Sequence, residues 1–98
     1  MTLGASEDLM AIWCYLAENA GIRPADRLAA EFEQWFERLA ENPRLGHARH
    51  DVAPSRLLFW VLHRYLIVYD SQTNPIRIVR VLHGARDLKT IFDSREDA

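Results

Sequence analysis

Apolar residues return at intervals of three and four over the first forty positions, and the interval changes to two afterwards. Leu9, Ile12, Trp13, Leu16 and Ala20 form the first run, which predicts an amphipathic helix. Ser6 ahead of Glu7 and Asp8 reads as its N-cap, with acids placed where the helix dipole favours them, and Gly21 closes it. Pro24 suits the first turn of a second helix. One face of that helix carries Ala25, Leu28, Ala29, Phe32, Phe36 and Leu39, with Trp35 at its edge. Glu31, Glu33, Glu37, Arg38 and Glu41 take the solvent side, and Asn42-Pro43 and Gly46 stop the run. Two such helices on a short link pack as an antiparallel hairpin, and their aromatic stripe reads as core.

From His47 the texture differs. His47 to Ser55 is polar and reads as a loop or a short edge strand. Leu57 to Leu62, Tyr65 to Tyr69 and Ile76 to Leu82 are β-rich runs, the first two joined by His63-Arg64 and the last two by a longer turn with Asn74-Pro75. Short connections predict an antiparallel meander. The middle run is apolar on both faces, with Tyr65, Ile67 and Tyr69 on one side and Leu66 and Val68 on the other. One face can bury against the hairpin, and the second needs cover from the C-terminus or from a partner. Alternation in the third run sets Ile76, Ile78 and Arg80 on one face and Arg77, Val79 and Val81 on the other. Gly84 ends this run, Asp87 to Phe92 reads as a short final helix, and residues 94–98 read as a frayed tail. The expected fold is α+β: an N-terminal antiparallel helix hairpin on a three- or four-stranded antiparallel sheet, with a short C-terminal helix, in one domain over residues 1–98.

Composition narrows the classes. An apolar fraction of 49% with 27% charged residues suits a globular chain of one core. The longest unbroken apolar stretch, Leu57 to Leu62, is too short to cross a bilayer, and Met1 to Asp8 lacks the basic and apolar parts of a signal peptide. The expected compartment is therefore the cytoplasm. The single cysteine, Cys14, leaves no internal disulfide and lies beside the apolar stripe. Net charge is −2, yet residues 1–46 hold eight acids against four arginines, while residues 47–92 hold seven bases against three acids and include all four histidines. An acidic helical half beside a basic half fits either a polar partner surface or solvated strand faces.

Particular strings then carry a resemblance. Asp8-Leu9 with Ile12-Trp13 is followed by Leu39-Ala40, Pro43 and Gly46, then by Arg49 with Asp51-Val52. Tyr65-Leu66-Ile67-Val68-Tyr69 comes next, and Ile78-Val79-Arg80-Val81-Leu82-His83-Gly84-Ala85-Arg86-Asp87 is the most specific. In this order and spacing, over about residues 7–92, the chain resembles the ParE branch of the RelE/ParE toxins of type II toxin–antitoxin systems. Members usually begin with an extended strand and a Pro-x-Ala turn. Here only Met1 to Ala5 precedes Ser6, so that strand is expected to be short or missing.

The resemblance implies a toxin that poisons DNA gyrase by binding it. A cognate ParD-like antitoxin of the ribbon-helix-helix type would restrain it, through a disordered segment that folds onto the toxin in a hetero-oligomer. It implies no cofactor, no membrane and no sequence-specific DNA binding by the chain itself. RelE-like relatives instead cut messenger RNA on the ribosome, which requires groups that move protons and stabilise a phosphorane. The chain offers Arg56, Arg64, Arg77, Arg80 and His83, but no tyrosine after Tyr69 and only one lysine, Lys89. His47 and His50 with Asp51 make a poor metal site, and no phosphate loop or triad is visible. Binding is thus expected rather than catalysis, with a ribosome-dependent ribonuclease, or a module kept only for antitoxin binding, as the alternatives. The expected target surface is Arg80, His83, Arg86 and Lys89. Trp13, Trp35, Trp60, Leu66 and Val68 are the expected antitoxin contacts, on the second sheet face and in the groove beside the hairpin. Arg80, sharing a face with apolar residues, is expected to pair with an acid such as Asp87.

Overall fold

The computed structural model describes residues 1–84. Two helices, α1 (Leu3–Asn19) and α2 (Ile22–Glu41), precede four strands: β1 (His47–Ala48), β2 (Leu57–Leu62), β3 (Tyr65–Asp70) and β4 (Arg77–Leu82). The strands form one sheet in the order β1-β2-β3-β4, each pair antiparallel. The α+β meander is therefore as expected, and the polar stretch after Gly46 supplies a two-residue edge strand that makes the sheet four-stranded. The C-terminal helix expected over Asp87 to Phe92 lies outside the described residues.

The start of α1 departs from the sequence reading. Its N-cap is Thr2, whose side chain accepts from Ala5 N–H, while Ser6 lies inside the helix. The reason is tertiary: the Thr2 hydroxyl also donates to Val79 O at 2.6 Å, and Thr2 N–H to Ile78 O at 3.0 Å. Ser6 has a capping side chain but no strand to reach. Among the described residues, Thr2 is where the chain ahead of α1 touches the edge of β4.

The core lies between hairpin and sheet. Ala5, Phe32, Leu39, Leu62, Tyr65, Ile67, Tyr69, Ile78 and Val81 cluster there, joined by half-buried Leu9, Ile12, Leu28, Trp35 and Phe36. Phe32 packs edge-on against Tyr65 at 5.7 Å between ring centroids. Tyr69 is fully buried but keeps its hydroxyl satisfied: it donates to Pro43 O at 2.7 Å and accepts from Gly46 N–H at 2.8 Å. Residue 46 must be glycine for this contact, because a Cβ would sit 2.5 Å from the Tyr69 oxygen. The helix stop read from the sequence is thus also a packing requirement. Burial raises the Tyr69 pKa, partly countered by the Gly46 N–H.

The second sheet face holds Leu57, Phe59, Leu66, Val68 and Leu82, all buried, with Val52 and Ala53 of the preceding loop and Val79 packed against them. Strict alternation in β4 fails at one point. The register slips between Val68 and Tyr69, so that Val68 faces Arg80 and Tyr69 faces Ile78, leaving Val79 as the extra residue of a bulge. Ile78, opposite Tyr69, keeps the helix-side face, but Arg80, expected beside it, stands opposite Val68 and so passes to the other face. Val81, expected opposite, joins Ile78 in the helix-side cluster because the bulge resets the alternation.

Candidate functional site

An open groove of about 910 Å³ runs between the helices and the end of the sheet. Its apolar floor comes from Ile12 and Leu16 of α1, Leu28 of α2 and Val81 of β4. The helical interval of three and four brings Ile12 and Leu16 to one side, and the antiparallel return of α2 sets Leu28 beside them. Arg27 and Glu31 of α2, together with His63 and Arg64, form its polar margin. His63 holds a positive φ of 56°, uncommon for a residue with a side chain, and this aims the turn at α2. There His63 Nε2 meets Glu31 Oε2 at 2.5 Å, tying the hairpin tip of the sheet to the helix.

The other candidate residues divide among several places. Arg80 is gripped by Asp8 of α1: Nε donates to Oδ2 at 2.7 Å and Nη2 to Oδ1 at 2.9 Å. The expected pairing of Arg80 with an acid is present with Asp8, brought close because α1 packs along β4; the partner named from the sequence, Asp87, lies outside the described residues. His83 lines the groove and meets Tyr65 edge-on at 5.4 Å. Arg86 and Lys89 lie outside the described residues.

Trp13 bridges the two helices through Nε1–H donating to Asp26 Oδ1 at 2.8 Å. Trp35 and Trp60 pack at 4.6 Å between centroids, with the Arg38 guanidinium 4.9 Å over Trp35 and His47 parallel to Trp60. The Trp60 Nε1 is buried with no hydrogen-bond partner among the described residues. Leu66 and Val68 belong to the opposite sheet face and are buried. The five residues thus occupy three separate regions rather than one surface. The groove itself draws on residues the sequence reading placed in no binding site, chiefly Arg27, Glu31 and His63, and on Arg64, which it offered only as a group for RNA cleavage. Their signal was faint: two charges near the start of α2, and a tight turn of two basic residues.

Elsewhere charge is paired locally. Arg49 donates to Asp51 at 3.4 Å and holds its carboxyl below the ordinary value, helped by a backbone hydrogen bond. Arg56 meets Asp70 at 3.6 Å. Among the described residues no group of three His, Cys, Asp or Glu side chains could hold a metal ion, and no helix is long and apolar enough to cross a membrane.

Residues 1–88 match the family described as the ParE toxin of the type II toxin–antitoxin system, parDE. The chain belongs to the ParE toxin family. Toxin ParE3 of Caulobacter vibrioides is 31% identical over 87 residues, which are 89% of this chain and 86% of that protein. The family match takes in both helices and the whole described sheet, so groove and Asp8–Arg80 pair lie inside the shared domain.

Proposed function

We propose that this ParE-family toxin arrests growth by binding DNA gyrase, without breaking a bond itself. The observation that carries the reading is the Asp8–Arg80 fork. Arg80 is one of the arginines a phosphorane would need, and its Nε and Nη2 are directed onto a carboxylate at 2.7 and 2.9 Å. A guanidinium held this way has less to offer a developing phosphate charge. The target residues in this reading are Arg80 and His83, together with Arg86 and Lys89, which lie outside the described residues. Alanine at all four positions is expected to abolish growth arrest.

The groove suits the neutralising partner. An apolar floor with Arg27 and Arg64 at its margin fits an amphipathic helix bearing acidic flanks, the form in which a disordered ParD-like antitoxin segment would fold on binding. Glutamate at Ile12 or Leu16 should weaken that capture.

A gyrase supercoiling and cleavage assay run beside coupled translation tests the mechanism. Loss of supercoiling with intact messenger RNA is the expected result. Codon-linked cuts with unaltered supercoiling would establish the ribosome-dependent ribonuclease instead. No growth phenotype at all would point to a module kept for antitoxin binding alone.

A further inference from the structure

Among the described strands β4 is an outer member of the sheet, and an uncovered outer strand invites pairing with another chain. Here its open side meets the beginning of α1. Thr2 N–H donates to Ile78 O, the Thr2 hydroxyl donates to Val79 O, and Val81 N–H donates to Asp8 Oδ2 at 2.9 Å. Main-chain groups of Ile78, Val79 and Val81 are thereby satisfied by a helix start in place of a neighbouring strand. The bulge at Val79 lies in the middle of this stretch, and just after it the Arg80 guanidinium reaches α1, where the Asp8 carboxylate takes Nε and Nη2. Gly4 leaves room for the arginine stem, since a Cβ there would stand 3.2 Å from Arg80 Cδ. Asp8 thus binds the backbone of β4 at Val81 and the Arg80 guanidinium together. Two residues beyond Val81, His83 sits against Tyr65 in the groove wall.

We propose that Asp8 is a positioning residue. It closes the outer side of β4 and holds the end of the strand that carries His83, so that Arg80 acts on the target through Asp8 rather than by touching it. The growth arm of the test rests on the toxin reading above, and the exchange arm does not.

Amide hydrogen exchange on the purified full chain compares wild type, Asp8→Asn and Asp8→Ala. With Asp8→Ala, exchange at Val81 should rise on the order of tenfold while Ile67 and Val68 in β3 stay unchanged. Asp8→Asn keeps an oxygen for the Val81 N–H and should fall between the two; it carries the test if the alanine variant does not fold. Unchanged Val81 exchange in the variant that folds overturns the closure.

In the growth arm, Asp8→Ala and Arg80→Leu should relieve arrest to the same degree at matched soluble abundance, and the double variant should relieve it no further. Arg80→Lys should not restore arrest, because a single ammonium cannot reproduce the fork. Relief by Arg80→Leu with full arrest by Asp8→Ala would mean that Arg80 contacts the target directly, and the positioning role would be wrong. If wild type itself fails to arrest growth, the toxin reading falls, and Val81 exchange alone decides the closure.

Discussion

The two helices of the hairpin are built on different principles. α2 divides cleanly into faces: Ala25, Phe32 and Leu39 are buried, and its acids lie outward. α1 is apolar nearly all round yet buries only Ala5, and it leaves Leu3, Met10 and Tyr15 at 76%, 63% and 65% exposure. Hydrophobic burial holds α2. Polar clips at defined points do much of the holding of α1: Thr2 and Asp8 on β4, and Trp13 on Asp26. A helix held this way keeps one apolar side in the groove and another facing solvent.

The contrast can be broken most severely at Phe32. Phe32→Ala removes a ring buried against Phe36 and Tyr65 and should cost about 3–5 kcal/mol in chemical denaturation. A cost near that of a surface substitution would mean that α2 does not anchor the core.

Next comes the lock between the end of α2 and the sheet. Tyr69→Phe leaves Pro43 O and Gly46 N–H without the hydroxyl and should cost about 1–3 kcal/mol. The same residue gives a pH dependence. Its pKa is raised in the folded chain by burial, so the folded state favours the neutral phenol. That preference is fully present below the unfolded value of about 10 and is lost as pH rises through the folded value. Denaturation midpoints should therefore fall above about pH 10, and Tyr69→Phe should flatten that decline. An equally steep decline in the variant would assign it to other groups.

Clips on α1 should matter less. Trp13→Phe deletes the exposed hydrogen bond to Asp26 while keeping an aromatic body, at an expected cost of about 0.5–1.5 kcal/mol. Smallest of all is Met10→Lys on the outer side of α1, expected to stay within about 0.5 kcal/mol of wild type. A loss above 2 kcal/mol there would show that the outer side of α1 is structurally committed rather than spare.

Much of the architecture was legible in the order of residues because it depends on local periodicity. The stripe of α2, the breaks at Gly21 and Gly46, and the β-rich runs at 57–62 and 65–69 each follow from neighbours a few positions apart. The N-cap was misplaced at Ser6 because two hydroxyl residues were available, and only the nearness of Val79 O chose Thr2. Val81 was assigned to the wrong face because a bulge cannot be seen in an alternating string. The groove was least legible. His63, Arg64, Arg27 and Glu31 have no common spacing, and they meet because a strand turn with positive φ points at a helix thirty-two residues earlier in the chain.

Sequence by itself determined which segments are helix and strand, their antiparallel order and the family. These rest on patterning and on short strings that survive without knowledge of contacts. Tertiary structure alone decided that Arg80 answers to Asp8, seventy-two positions away, and that β4 is closed by a helix start. Hydrogen bonds and ion pairs act over a few ångströms, and which groups come that close is settled only when the helices dock on the sheet.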